Sequence, residues 1–181
     1  MATNLYDRII KQRGTMGNIG SKIPGYRGYQ DAEVRRQADQ LLREHIAAQL
    51  EQQFDRLPAI EKMLLDAGGL QWMSDTRALK AQMTTFVERI RTAARGYSGL
   101  FTNIKIGSEE LEKLYAFDEA MLRYEDDFAA KMDALEQAAA ANDGIAEAIA
   151  ALSALVREAD QAFALRKDVI VGLAGLDASA F

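Results

Sequence analysis

Apolar residues recur every three or four positions along most of this chain, which is the spacing that one face of an α-helix produces. The pattern starts at Asp31 and continues, with a few breaks, to Leu173. It is strongest over residues 109–173, where apolar positions repeat at intervals of seven on both sides of a break at residues 142–144. The sequence therefore predicts an all-α fold. We expect a four-helix bundle with a long C-terminal antiparallel helical hairpin and a short N-terminal amphipathic helix.

Helix-breaking residues divide the pattern into segments. Pro58 either kinks the first long helix or opens the next one, and the glycine pair at residues 68–69 ends that next helix. We expect Ser74 and Ser108 to be the N-caps of the two helices that follow. Residues 100–106 are the only strand-like run, and with no partner strand they are interpreted as an extended connection packed on the bundle.

The first helical pattern of the chain is short and amphipathic. Leu5, Ile9 and Ile10 share one helical face, and charged residues occupy the other. A helix this short is marginal on its own in water, so it needs a surface to lie on. We therefore divide the chain into residues 1–29, an amphipathic helix with a docking segment, and residues 30–181, a single helical bundle domain.

The stretch GTMGNIGSKIPGYRGY at residues 14–29 is rich in glycine. Its order of glycine, serine and lysine matches neither the phosphate-binding loop G-x-x-x-x-G-K-[ST] nor the dinucleotide fingerprint G-x-G-x-x-G. We interpret it as a flexible hinge that lets the first helix swing relative to the bundle. Its isoleucines and tyrosines are too apolar for a purely solvated linker, so part of it should dock on another surface.

Charge is distributed unevenly along the chain. Residues 1–29 contain five basic residues and one acidic residue, a net charge of +4, and because the whole chain carries −5, residues 30–181 sum to −9. A basic segment on an acidic body predicts an anionic target, which could be a membrane surface, a nucleic acid or the acidic body of another copy. DNA is not expected, and RNA is disfavoured because the rest of the chain is acidic. The predicted membrane or partner contacts are Leu5, Arg8, Ile9, Ile10, Lys11, Arg13, Lys22, Tyr26, Arg27 and Tyr29.

Few residues suggest catalysis or metal binding. The absence of cysteine excludes disulfides and thiolate chemistry and fits a reducing compartment. The single histidine, His45, lies on an apolar helical face and is interpreted as a packed residue, since di-iron bundles need Glu-x-x-His pairs on two helices. We predict no catalytic residue, no metal and no cofactor.

Two carboxylates on one helix have a more specific interpretation. Asp118 and Glu125 lie seven residues apart at the edge of an apolar stripe, too far apart to share one ion without other ligands. We expect them to pair with arginines of a facing helix, such as Arg89 or Arg91, and to set the register of packing. Arg166 interrupts the apolar stripe of the last helix and is the natural counter-charge for such a carboxylate.

The stretch SKIPGYRGY, the charged helix EVRRQAD after it and the segment ELEKLYAFD at residues 110–118 together resemble a family of uncharacterised bacterial helical-bundle proteins. The order of a short amphipathic helix before a long helical hairpin is also loosely similar to the phage-shock-protein-A-like membrane-remodelling proteins. That family has one uninterrupted hairpin, whereas this chain breaks its helices at Pro58, at residues 68–69 and at Gly96. The second resemblance implies membrane contact or self-association.

These observations favour a non-catalytic helical scaffold or adaptor that self-associates and docks on a partner or a membrane through residues 1–29. The alternative is a soluble ligand-binding or regulatory bundle with a small-molecule pocket near Trp72 and His45. The start of the chain lacks the apolar core of a signal peptide, and no apolar run reaches about 20 residues. We therefore expect a cytoplasmic homo-oligomer, with peripheral contact to the inner face of the membrane as the option that the basic segment allows.

Overall fold

The computed structural model describes residues 4–12, 14–30, 34–93 and 107–173, and it confirms the predicted all-α class. The regular secondary structure in these ranges consists of helices and includes no strand. In chain order the helices are α1 (Leu5–Lys11), α2 (Met16–Lys22), α3 (Arg35–Phe54), α4 (Leu57–Asp66), α5 (Met73–Thr92), α6 (Ser108–Ala141) and α7 (Ile145–Leu173).

The two longest helices, α6 and α7, make the most extensive contact among the described elements. They run in opposite directions, because Asp118 contacts Arg166 while Tyr124, further along α6, contacts Glu158. Helix α3 packs on α5 and α6, and α5 also packs on α7. Phe128 of α6 is fully buried in the core that these helices enclose.

Several predicted helix boundaries are resolved or corrected. Pro58 lies in the first turn of α4, so it opens a helix rather than kinking one, in keeping with a fixed φ and a missing N–H at that position. A short 3-10 helix, Leu70–Trp72, leads directly into α5, so the expected N-cap at Ser74 is wrong. The N-cap of α6 is Gly107, one residue before the predicted Ser108.

The glycine-rich stretch at residues 14–29, predicted to be a hinge that docks in part on another surface, packs on the rest of the protein. It contains α2, whose N-cap Thr15 accepts a hydrogen bond at its side-chain oxygen from the backbone N–H of Asn18, at 3.2 Å. Ile19 and Ile23 are buried against the rest of the protein. Tertiary packing therefore overrides the weak helix propensity of the glycines.

Residues 4–12 and 14–30, which we call the N-terminal segment, pack on the helical body formed by α3–α7. Both α1 and α2 lie on α6, and α1 also contacts α7. Buried residues from the N-terminal segment and from the body belong to one hydrophobic cluster. The described parts of the N-terminal segment and the body therefore share one hydrophobic core.

Some sequence predictions fall on residues outside the described ranges. These are the basic residue Arg13, the helix end at Gly96 and the extended connection at residues 100–106. Among the described helices, none combines the length and the apolar character needed to cross a membrane.

Candidate functional site

The most distinctive site is a buried polar network where the N-terminal segment meets the body. At its centre Tyr29 and Asp118 are fully buried and Arg166 is 2% exposed. The Nε of Arg166 donates to Asp118 Oδ1 at 2.5 Å, and the Tyr29 hydroxyl donates to Asp118 Oδ2 at 2.6 Å. The Nη2 of Arg166 lies 3.1 Å from the same hydroxyl oxygen. Three parts of the chain, the N-terminal segment, α6 and α7, therefore share one set of hydrogen bonds.

The network continues into α3 and reaches the end of α5. Arg166 Nη2 donates to Asp39 Oδ1 at 2.7 Å, and Arg43 Nε donates to Asp39 Oδ2 at 2.8 Å. The Nη1 of Arg43 lies 3.3 Å from the carbonyl oxygen of Ile90 and 3.2 Å from that of Arg91. A cation at these carbonyls satisfies acceptors that the last turn of a helix leaves unpaired. The network thus ties α5 to the same cluster.

The electrostatics of the two aspartates differ because their partners differ. Burial raises the pKa of Asp118, whose one guanidinium partner, Arg166, opposes that shift. Burial would also raise the pKa of Asp39, but Arg166 and Arg43 together hold it below its ordinary value. Burial raises the pKa of the Tyr29 hydroxyl well above its ordinary range. Tyr29 therefore keeps its proton and remains a hydrogen-bond donor to Asp118.

Two glycines allow the N-terminal segment to approach α6 closely. A Cβ atom at Gly14 would lie 2.0 Å from the carbonyl oxygen of Tyr115. Gly28 has a φ of +73°, and a Cβ there would lie 2.6 Å from the Tyr115 hydroxyl oxygen. That hydroxyl accepts the backbone N–H of Tyr29 at 3.0 Å. These glycines therefore serve close packing, and neither forms part of a phosphate-binding loop.

The rim of this contact pairs the basic segment with acidic residues of the same chain. Arg8 of α1 pairs with Glu158 of α7. The Nζ of Lys22 lies 3.5 Å from Asp126 Oδ2 on α6. Glu119 of α6 accepts hydrogen bonds from the N-cap region of α2 at 3.2 Å. The charge asymmetry seen in the sequence is thus at least partly matched within one molecule.

The basic and the apolar residues among the predicted contacts differ in their exposure to solvent. Arg8, Lys11, Lys22 and Arg27 are exposed. The apolar positions are not exposed: Ile9 is buried, and Leu5 and Ile10 are half-buried against the core. Tyr26 and Tyr29 are also buried. The apolar face expected to contact a membrane or partner is therefore covered by the body in this arrangement.

The predicted pairing of Asp118 with Arg166 is confirmed. The alternative partners are wrong, since Arg89 pairs with Asp160 on α7 and Arg91 with Glu51 on α3. Sequence reasoning missed Asp39 and Arg43, although a signal was present. They lie four residues apart and alternate with Ala38 and Leu42 on the apolar face of α3, where buried charges need partners.

His45 and Trp72, the residues of the alternative ligand-binding interpretation, lie in different parts of the structure. The Nε2 of His45 on α3 lies 3.5 Å from Glu125 Oε1 on α6. Trp72 lies at the turn between α4 and α5, where a Cβ at Gly69 would be 2.8 Å from its ring. Across residues 4–12, 14–30, 34–93 and 107–173, no three His, Asp or Glu side chains are grouped to hold a metal ion.

Chemically, the network is suited to holding structure in place. Its central side chains are buried and satisfy one another, so a substrate would have to displace protein groups to reach them. Comparison with known proteins found no matching family model, no matching curated protein and no matching solved structure.

Proposed function

We propose that this protein is a non-catalytic helical scaffold or adaptor that self-associates through its N-terminal segment. The scaffold in this proposal is a four-helix bundle built on the α6–α7 hairpin. The observation that supports it is the contact itself, in which a basic segment with buried tyrosines lies on an acidic surface of the body.

The contact is complementary in shape and in charge. Ile9, Ile19 and Tyr29 are each no more than 3% exposed, so the segment fills a well-defined surface. Close pairs such as Arg8–Glu158 and Lys22–Asp126 define its rim. None of these contacts depends on which copy of the chain supplies the segment. Exchange of an identical element between copies is a low-cost route to a dimer.

A second copy is a better partner for this segment than an anionic membrane. Amphipathic helices bind membranes by inserting an apolar face and attracting anionic lipid with basic residues. Here Ile9 is buried on the body and Arg8 is paired with Glu158. Membrane binding would require the body surface to be left uncovered, whereas exchange with another copy covers it again.

The test uses the absence of cysteine in the natural chain. The Nδ2 of Asn18 lies 3.2 Å from Glu119 Oε1 across the contact, so Asn18→Cys and Glu119→Cys are prepared as two separate proteins. They are mixed at high concentration, incubated, and treated with a short bis-maleimide. A covalent dimer containing one chain of each kind is expected, because exchange places the two cysteines together.

The matched control mixes Asn18→Cys with Lys62→Cys, whose position on α4 is exposed and lies outside the contact. That mixture should give little cross-linked product. Light scattering on the unmodified chain provides the assembly state in parallel. A monomer at every concentration, with no cross-linked dimer, would refute the proposal. Binding of anionic vesicles by such a monomer would instead favour the membrane as the partner.

A further inference from the structure

A second contact, between α3 and α6 near Lys22 at the end of α2, contains a buried acceptor that makes no hydrogen bond. Glu125 Oε1 is buried and makes no hydrogen bond, although His45 Nε2 is 3.5 Å away. The side chains of Glu125 and His45 are 13% and 21% exposed. A buried polar atom without a partner is rare in folded proteins and calls for an explanation.

The contact lies where three helices meet. Glu125 belongs to α6 and His45 to α3, and Lys22 at the end of α2 is the basic group whose charge acts on both. The neighbouring carboxylate of Asp126 is the other charged group acting on Glu125, and it pairs with Lys22 at 3.5 Å. Among the described residues, these are the titratable groups that surround the Glu125 carboxyl.

We infer that the Glu125–His45 contact makes the packing of α2 on the body sensitive to pH, with α2 held more firmly in mildly acidic solution than in alkaline solution. A protonated Glu125 carries no charge and can donate a hydrogen bond to the His45 ring. An ionised Glu125 places a negative charge where water has little access, and this costs free energy. Water reaches that carboxylate more readily when α2 moves away, so ionisation favours a loosened α2.

The direction of the pH dependence follows from the pKa shifts of Glu125 and His45. Burial raises the pKa of Glu125 from an ordinary 4.5 to about 7, so its stabilising contribution is complete below 4.5 and is lost as the pH rises through about 7. Burial and the charge of Lys22 lower the pKa of His45, so its contribution is complete above its ordinary 6.5 and is lost at lower pH. A substitution at Glu125 isolates the first effect from the second.

The test is hydrogen exchange of the full-length chain, measured by mass spectrometry at pH 5 and pH 8 and corrected for intrinsic exchange rates. We compare the natural chain with Glu125→Gln, which keeps the shape and removes the charge. At pH 8, α2 should be about tenfold better protected in Glu125→Gln than in the natural chain, because the ionised Glu125 of the natural chain favours a loosened α2. At pH 5 the two chains should differ far less, because Glu125 in the packed protein, with a pKa of about 7, is then largely protonated.

The matched control is Asp127→Asn, which removes an exposed carboxylate two residues away on the same helix. It should behave like the natural chain at both pH values. Glu125→Met provides a second uncharged variant in case the glutamine disturbs the fold. The inference is overturned if Glu125→Gln and the natural chain show the same protection of α2 at pH 8. It is also overturned if the change is equal in α2 and in the distant half of α7.

Discussion

The two ends of the α6–α7 pair are held together by different physical means. Near the turn that joins them, the facing side chains are apolar, with Met132 and Leu135 of α6 and Ile149 and Leu152 of α7 all buried. Near the N-terminal segment, the core contains buried charges instead. Apolar attraction has no direction, whereas hydrogen bonds between ions require particular atoms at particular angles. The apolar end therefore supplies stability, and the charged end selects one arrangement of the helices and the segment.

The comparison also predicts different responses to substitution. An apolar core loses stability in proportion to the volume removed, and it accepts side chains of similar size. A buried ionic network costs free energy to desolvate, and that cost is offset only while every partner is present. Removing one member leaves the others buried and unpaired.

The largest effect is expected at Arg166. Replacing it with Met leaves Asp118 and Asp39 without their shared cation, and we expect the free energy of unfolding at pH 7 to fall by about 4 kcal/mol. Arg166→Lys should recover little of this, because an ammonium group cannot donate to both carboxylates in the planar geometry of a guanidinium. Urea denaturation monitored by circular dichroism measures the free energy of unfolding of both variants.

The control for Arg166 is Arg89→Ala, which breaks a half-exposed pair with Asp160. Exposed pairs contribute little, so the loss should be below about 1 kcal/mol. If Arg166→Met were no more destabilising than Arg89→Ala, the charged end would not select the arrangement as we describe.

At the apolar end, Leu152→Ala should lower the free energy of unfolding by about 3 kcal/mol through lost burial and an unfilled cavity. Leu152 is fully buried on α7. Leu152→Met should lower it by less than about 1.5 kcal/mol, because a flexible side chain of similar volume can fill the same space. The contrast between Leu152→Met and Arg166→Lys sharpens the comparison: a conservative change is tolerated at one end only. Equal losses for the two would remove the distinction.

The smallest of the three effects is expected at Tyr29. Tyr29→Phe keeps the ring, whose centroid lies 5.6 Å from that of Tyr115. It removes the hydroxyl that hydrogen-bonds to Asp118 and Arg166. Hydrogen bonds to charged groups contribute more than neutral ones, so we expect a loss of about 2 kcal/mol in urea denaturation. Hydrogen exchange should show the increase first in the N-terminal segment, because Tyr29 belongs to that segment.

The control for Tyr29 is Tyr124→Phe, which removes a hydroxyl that donates to Glu158 at the partly exposed rim. Solvent can replace that bond, so the loss should stay below about 1 kcal/mol. Similar losses for Tyr29→Phe and Tyr124→Phe would show that burial of the network adds nothing to its strength.

Features of the structure that depend on residues close together in the sequence were predicted better than features that depend on residues far apart. The apolar repeats of α6 and α7 and the turn at residues 142–144 are local patterns, and the helices they predicted are present. The pairing of Asp118 with Arg166 was also predictable, because each charge lies on or beside an apolar stripe. Asp39 and Arg43 were missed because their burial depends on the packing of α3 on α6. These two helices join parts of the chain that are about 80 residues apart.

The sequence by itself determined that the chain is helical, where most helices break, and that its first 29 residues are basic while the rest is acidic. Each of these properties depends on residues that are close together in the chain. Only the tertiary structure decided that the basic segment lies on its own body, that α2 forms within the glycine-rich stretch, and that Gly14 and Gly28 provide close contact with Tyr115. These features depend on which surfaces meet, and the free energy of burying them acts between residues about 90 positions apart.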